Sequence, residues 1–429
     1  MRYDRIDNAL FIQNRKRFVH GLKPQSVAVF NANDIMPTNA DGTMKFKQNS
    51  DLFYLSGVDQ EETILLLAPN AHDETHREVL FLRETNETIA IWEGAKLTME
   101  EARAVSGIQT IYWIKDFERV FATLVSECAL IYLNTNEHAR ASVKVETRDM
   151  RFLKWCKEQY PLHEYRRSAP MLHRIRAVKA PQEIALLQTA CDITEKGFRR
   201  LLKAVKPGVW EYELEAELIH EFIRNRAQGF AYEPIIAAGA NSCVLHYIDN
   251  NKQCQKGNIL LLDIGAEYAN YDADLTRSIP VSGTFTQRQK DVYNAVLRVQ
   301  KAAINMLRPG TILKEYHKEV GALMEAELVN LKLITTQDIA KQDPKWPAYK
   351  KYFMHGTSHF LGLDTHDVGN WDVPMEVGNV FTCEPGIYIR EEGLGIRIED
   401  DILIGEDGPV NLMKNIPKEV EELEELMNS

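Results

Sequence analysis

The second half of the chain holds side chains whose types suit divalent cations. Asp263 ends the apolar run Ile259-Leu260-Leu261-Leu262, and Asp274 follows eleven positions later in DLTR. That separation allows the two carboxylates to meet across a hairpin. His355 and His359 stand in HGTSHFLGLDTHD, with His366 seven residues after His359. Glu384 sits in FTCEPG and Glu399 in IRIED. Carboxylates on apolar strands are costly to bury unless they are paired or bound to metal. Asp263, Asp274, Glu384 and Glu399 with one histidine are the makings of a two-metal site. Their four negative charges would balance two divalent cations. Such cations lower the pKa of a shared water until it ionises near neutral pH. Oxygen donors with one imidazole suit manganese (Mn²⁺), with Co²⁺ or Zn²⁺ as alternatives. Each piece also has an ordinary reading: an Asp after a strand forms turns, EPG is a turn signal, and most histidines are structural. Taken together and in order, the set outweighs these ordinary readings.

These residues need elements to hold them. The chain has 429 residues, which calls for two or three domains. In the first half, short β-type runs alternate with helical ones: SVAVF (Ser26 to Phe30), TILLLA (Thr63 to Ala68), TMEEARAV (Thr98 to Val105) and LIYLN (Leu130 to Asn134). This is an α/β pattern. A boundary is expected between Pro161 and Pro181, where RRSAPM (Arg166 to Met171) reads as a polar, proline-punctuated linker. An amphipathic helix is predicted over 182–205, stopped by Pro207-Gly208, and a second over 212–223. Strands follow from Ile259 to Val281. Thr286 and Gln289 form a capping box for a helix through Leu307, and a third helix begins near Lys314. The stretch from His355 to Ile404 is strand-rich, and Thr335 to Tyr349 reads as a variable loop.

Several function classes are excluded. The net charge is −11, so the clustered basic footprint of a nucleic-acid binder is absent. The acidic C-terminal run EVEELEEL reads as a solvated helix face. No run of eighteen apolar residues spans a membrane, and the N-terminus MRYDRIDNALF lacks a signal-peptide core. Six cysteines show no CxxC pairing, as expected of reduced thiols. A cytoplasmic location is the expectation. Cys383 adjoins Glu384, and strand alternation points it away from the cations.

The whole set is similar to the pita-bread metallopeptidases, and within them to the proline-specific, aminopeptidase P branch. The matching stretches are FKQNSDLFYLSG, RAVKAPQEI, NSCVLHY, LLDIGAEYANYDADLTRSIPVSG, HGTSHFLGLDTHDVG, EPGIYI and GIRIEDD, spread over nearly the whole chain. The resemblance implies an N-terminal creatinase/aminopeptidase-P-like α/β domain over 1–175, serving oligomerisation and substrate gating. A C-terminal pita-bread catalytic domain would follow over 176–429. It implies two divalent ions, with Asp263 on one, His359 and Glu384 on the other, and Asp274 and Glu399 bridging. His246 and His366 would hold the substrate backbone and the tetrahedral intermediate, with His355 a further pocket histidine. Arg397 would stand near the metals, tied to Asp41, with Tyr388 beside the site. Trp92 resembles a tryptophan that a neighbouring subunit inserts toward substrate. The implied activity is release of the N-terminal residue from peptides with proline second, by attack of a bridging hydroxide, with Glu384 as proton shuttle. Prolidase activity on Xaa-Pro dipeptides is the near alternative, and a metal-free pita-bread binding module the distant one. A homodimer or homotetramer is implied.

Overall fold

The β-type runs of the first half come together as one six-stranded sheet in the computed structural model, which describes residues 2–142 and 144–429. The chain divides into two units, one of Asp4–Arg176 and one of Ala177–Ser429 joined by Arg2 and Tyr3. In the first unit the strand order is Thr110–Trp113, Glu78–Leu82, Ile64–Leu67, Ser26–Asn31, Leu130–Leu133, Glu164–Arg167. Ile64–Leu67 runs antiparallel to both neighbours, while the outer pairs are parallel. The strand Ser26–Asn31 is buried along its whole length. Such a strand reads as a continuous apolar run, because both faces of the sheet are covered. Helix Phe117–Ser126 buries Phe117, Val120, Phe121, Leu124 and Val125 on one stripe against that sheet.

The stretch RRSAPM, read from sequence as a linker, is ordered structure. Its arginines lie in the edge strand Glu164–Arg167, and Pro170 lies in the first turn of helix Ala169–Ala177. Proline fits a first turn, where its missing N–H is not needed, and exposed arginines suit an edge strand.

The second unit opens with helix Pro181–Ala204, with proline at its first position and Glu183 accepting the Ala180 N–H at 2.8 Å. Gly197 lets helix Glu211–Arg224 approach; a Cβ there would meet Phe222 at 2.6 Å. Strand Ile259–Ile264 lies between Ile235–Ala238 and Leu275–Pro280, antiparallel to both, with Asp263 opposite Thr276. Strands Val380–Cys383 and Asp400–Ile404 pair antiparallel, as do Gly386–Ile389 and Leu394–Arg397. Helices Gln287–Met306, opened by the Thr286–Gln289 capping box, and Leu313–Asn330 complete the unit. The segment read as a variable loop contains the short helix Thr336–Ala340. The acidic C-terminal run forms helix Val420–Asn428, anchored by buried Val420 and Leu423.

Beneath these strands lies a buried ionic network. Arg277 and Asp400 are fully buried and 2.6 Å apart. Arg277 also donates to the carbonyls of Thr276, Glu399 and Pro417, while Asp400 accepts from Gln300, Asn411 and Lys418. Among the described residues no helix is long and apolar enough to cross a membrane.

Candidate metal centre

The ends of these strands deliver the acidic side chains to one place. Asp274 precedes strand Leu275–Pro280, its N–H held by Asp401 Oδ2 at 3.1 Å. Glu399 lies between two strands. Its N–H donates to Thr276 O at 3.0 Å, and its Oε2 accepts from Thr276 Oγ1 at 2.6 Å. Glu384 follows Val380–Cys383, its N–H on Thr357 O at 2.8 Å. His359 is tied to the same strand through Thr382 on both backbone sides. A carbonyl only accepts, so the contact from His359 Nδ1 to Phe360 O at 2.9 Å puts the proton on Nδ1. In the neutral ring the lone pair is then on Nε2, which lies 3.4 Å from Asp274 Oδ2 and 3.7 Å from Glu384 Oε1; without a cation a proton on Nε2 bridges to those carboxylates. One donor atom each from Asp274, His359 and Glu399 all lie within 4.8 Å of one another.

Asp263 joins them through a residue the sequence reading missed. Tyr232 Oη lies 2.6 Å from Asp263 Oδ1 and 2.6 Å from Asp274 Oδ1. Gly265 makes room for this ring, since a Cβ there would meet Ala273 O at 1.8 Å and Tyr232 Cε1 at 3.1 Å. Burial, and then the neighbouring carboxylates, push the Tyr232 phenol well above its ordinary pKa. It therefore stays protonated. One hydroxyl has one proton and cannot donate to two ionised carboxylates. Without a cation, the second contact needs a proton on one of the acids.

The electrostatics agree. Burial raises Asp263, with Asp274 adding to the shift against the pull of Arg397. Burial likewise pushes Glu399 well above the carboxylate range, and Glu384 up to about 7. His359 is raised although burial alone would lower it, because Asp274 and Glu384 hold its proton. Among the described residues, Asp263, Glu384 and Glu399 share one guanidinium, that of Arg397. A proton is the small substitute for the missing positive charge. Clustered oxygen donors, an oriented imidazole nitrogen and uncompensated negative charge fit a divalent cation.

Arg397 hydrogen-bonds Asp263, donates from Nη1 to Tyr388 Oη at 2.9 Å, and from Nε to Thr276 Oγ1 at 2.9 Å. Tyr388 Oη in turn meets His355 Nε2 at 2.8 Å, and His355 Nδ1 meets Gly356 O at 2.7 Å. Burial first, then Arg397, lowers His355 to about 3, so its ring is neutral. This chain of donors ends 3.5 Å from Glu384 Oε2. His366 is exposed, with its ring edge-on to His359 at 4.5 Å between centroids. His246 is exposed on the loop after Gly239–Cys243. Its neighbour Tyr247 is anchored by buried Glu211 at 2.7 Å. Asp41 and Trp92 belong to the other unit. Both are exposed there, Trp92 at 83% on helix Glu87–Glu93. Cys383 is fully buried and faces Tyr316 Oη at 3.5 Å and Gln300 O at 3.8 Å, and all six cysteines are free.

Tyr232 sits in FAYEP, where no spacing or repeat marks it. Thr276 lies within DLTR, two residues after Asp274, and strand alternation puts it on the same face.

Comparison with known proteins places these units. Residues 185–406 match the model of metallopeptidase family M24, and residues 11–132 match the aminopeptidase P N-terminal domain. The Xaa-Pro aminopeptidase of Escherichia coli (strain K12) is 35% identical, over 98% of this chain and 98% of that one. The structure of a putative aminopeptidase P from Bacillus anthracis matches with a TM-score of 0.90 at 34% identity, covering 99% of each chain. Zn-substituted E. coli aminopeptidase P in complex with product matches with a TM-score of 0.87 at 34% identity, again over 99% of each.

Proposed function

The chain belongs to metallopeptidase family M24, with the two-domain organisation of aminopeptidase P, and on that premise we propose that it releases the N-terminal residue from peptides with proline in second position. The observation that carries the reading is the convergence of Asp274, His359 and Glu399 donors within 4.8 Å, with Glu384 and Asp263 alongside. Asp263, Asp274, His359, Glu384 and Glu399 would hold two divalent ions, Mn²⁺ fitting the donor set best, with Co²⁺ or Zn²⁺ as alternatives. Bound there, the ions supply a nucleophile at neutral pH and polarise the scissile carbonyl.

The chain's own residues do the rest. A bond to proline is a tertiary amide without an N–H, so a site that grips that hydrogen finds no handle. His246 and His366, both exposed toward solvent, are suited to hold the peptide backbone and the developing tetrahedral centre. Glu384, whose Oε2 lies 3.5 Å from His355 Nδ1, carries the proton to the leaving proline nitrogen. Arg397 fixes Asp263 and, through Tyr388, orients His355. Trp92 and Asp41 would act from the N-terminal domain, Trp92 on the substrate of a neighbouring subunit and Asp41 toward Arg397. A homodimer or homotetramer built on that domain, in the cytoplasm, goes with this reading.

The dipeptide-cleaving alternative is disfavoured because the full-length relatives carry the Xaa-Pro aminopeptidase name. The binding-module alternative is disfavoured because every donor is intact. The test is hydrolysis of a Xaa-Pro-Yaa tripeptide beside a Xaa-Pro dipeptide, with Mn²⁺ and with chelator. Release of the free first residue from the tripeptide, abolished by chelator, is expected. Cleavage of the dipeptide alone, or of neither, would overturn the proposal.

A further inference from the structure

At Asp367, next to His366 in the chain, two charges are buried together for no reason that ligand chemistry supplies. Lys179 Nζ and Asp367 Oδ2 are 2.9 Å apart, with their side chains 1% and 2% exposed. Lys179 stands just before helix Pro181–Ala204, its own N–H bonded to Gly378 O at 2.8 Å. Asp367 immediately follows His366.

The pair sits under the loop that carries His366. That loop leaves His359 along Phe360, which bridges Phe381, and closes where the Asp367 N–H returns to Phe360 O at 2.9 Å. Its rim is held by Thr365 Oγ1 on Asp272 Oδ2 at 2.9 Å and by the Asp272 N–H on Gly362 O at 2.9 Å. Its floor is the ion pair. Asp367 Oδ1 takes the Val368 N–H at 2.9 Å, leaving Oδ2 for Lys179. Gly362 lies flush against it: a Cβ there would meet Asp367 Oδ2 at 2.2 Å and Lys179 Nζ at 3.0 Å.

A buried ion pair is poor evidence of stability, since burying both charges costs about what their attraction returns. A fixed direction is what it does provide. We infer that Lys179 and Asp367 are positioning residues for His366, locking its loop so that the imidazole stands edge-on to His359. This rests on the reading above that His366 contacts the peptide.

The test is a thermodynamic cycle on the full-length, Mn²⁺-loaded enzyme. Single replacements strand a buried charge, so the pair is removed together as Lys179→Met with Asp367→Asn, which keeps an acceptor for the Val368 N–H. Gly362→Ala is the second variant; it displaces the pair without removing a charge. Each is expected to lower kcat/KM on a Xaa-Pro-Yaa tripeptide by about ten-fold or more, the scale on which sub-ångström misplacement acts. In a His366→Ala background, both are expected to change kcat/KM by less than about two-fold, because residues that act through one another are non-additive. Undiminished losses in that background, or no loss with His366 present, would overturn the inference. An unmodified enzyme that cleaves no Xaa-Pro peptide would instead refute the underlying functional reading.

Discussion

Replacing Tyr232 by phenylalanine tests whether the phenol gathers the ligands. The hydroxyl lies 2.6 Å from both Asp263 and Asp274, and those carboxylates come from opposite sides of an excursion of the chain. Without it, like charges are free to relax apart, and cation binding must bring them back. A hydrogen bond to a charged acceptor is worth about 1.5–3 kcal/mol, and loss of a group that orients metal ligands typically costs about 10–100-fold in affinity. The phenylalanine ring fills the same space, so no cavity forms. Titration of the metal-free protein with Mn²⁺ by calorimetry should therefore show affinity weakened by about 10–100-fold. Turnover should recover substantially at saturating Mn²⁺, because the phenol orients ligands and is assigned no step in proton transfer. Mn²⁺ affinity within two-fold of the unmodified protein would refute the argument, as would lost turnover that no Mn²⁺ concentration restores.

Three further outcomes follow from the same geometry. Glu384→Gln should lower kcat by about 10²–10⁴-fold, the usual share of a general acid–base group; near-normal turnover with both metals bound would sink that role. Arg277→Met strips Asp400 of its fully buried partner, and breaking such a pair costs about 3–5 kcal/mol. At about 2–4 °C per kcal/mol for a unit of this size, scanning fluorimetry should show a melting transition about 6–20 °C lower, and a shift under 2 °C would contradict the network. The metal-free protein should melt higher at pH 5 than at pH 7.5. Glu384, Asp263 and Glu399 have pKa values raised in the folded state, chiefly by burial. Their contribution is fully present below the ordinary carboxylate pKa and is lost as pH rises through the folded value. For Glu384, raised to about 7, most of that loss falls between about pH 5 and pH 7.5. Mn²⁺ should narrow the gap, and equal melting at the two pH values in chelator would argue against the clustered charge.

The parts legible in the sequence were those governed by local rules. The strand at Ile259–Ile264, the proline-opened helix at Pro181 and the Thr286 capping box follow from residue type and spacing alone. Cys383 facing away from Glu384 follows from strand alternation. RRSAPM misled because exposed arginines and an early proline are equally at home in an edge strand and a helix start. Tyr232 and the Lys179–Asp367 pair were invisible for another reason. Each acts through partners 31 to 188 positions away, and no period in a sequence encodes such a separation.

The run Glu399-Asp400-Asp401 shows how far composition stops short of chemistry. Three consecutive acids meet three fates. Asp400 points into the Arg277 and Lys418 network and is held well below the carboxylate range in spite of its burial, because two cations face it. Asp401 points to the other side, where it accepts the Asp274 N–H and the Cys191 thiol, and is pushed well up by burial and by Asp274. Glu399 faces Asp274, Glu384 and Asp263 and is also pushed well up, but its oxygen lies in a cluster with an imidazole nitrogen. Asp400 has its counter-charge within the protein and needs nothing more. Asp401 accepts from a backbone N–H and a thiol and, among the described residues, is not part of a group of converging donor atoms. Only at Glu399 does uncompensated charge coincide with converging donors. That coincidence separates a candidate ligand from a structural acid, and it exists only once the strands bring Thr276, Asp274 and His359 to the same place.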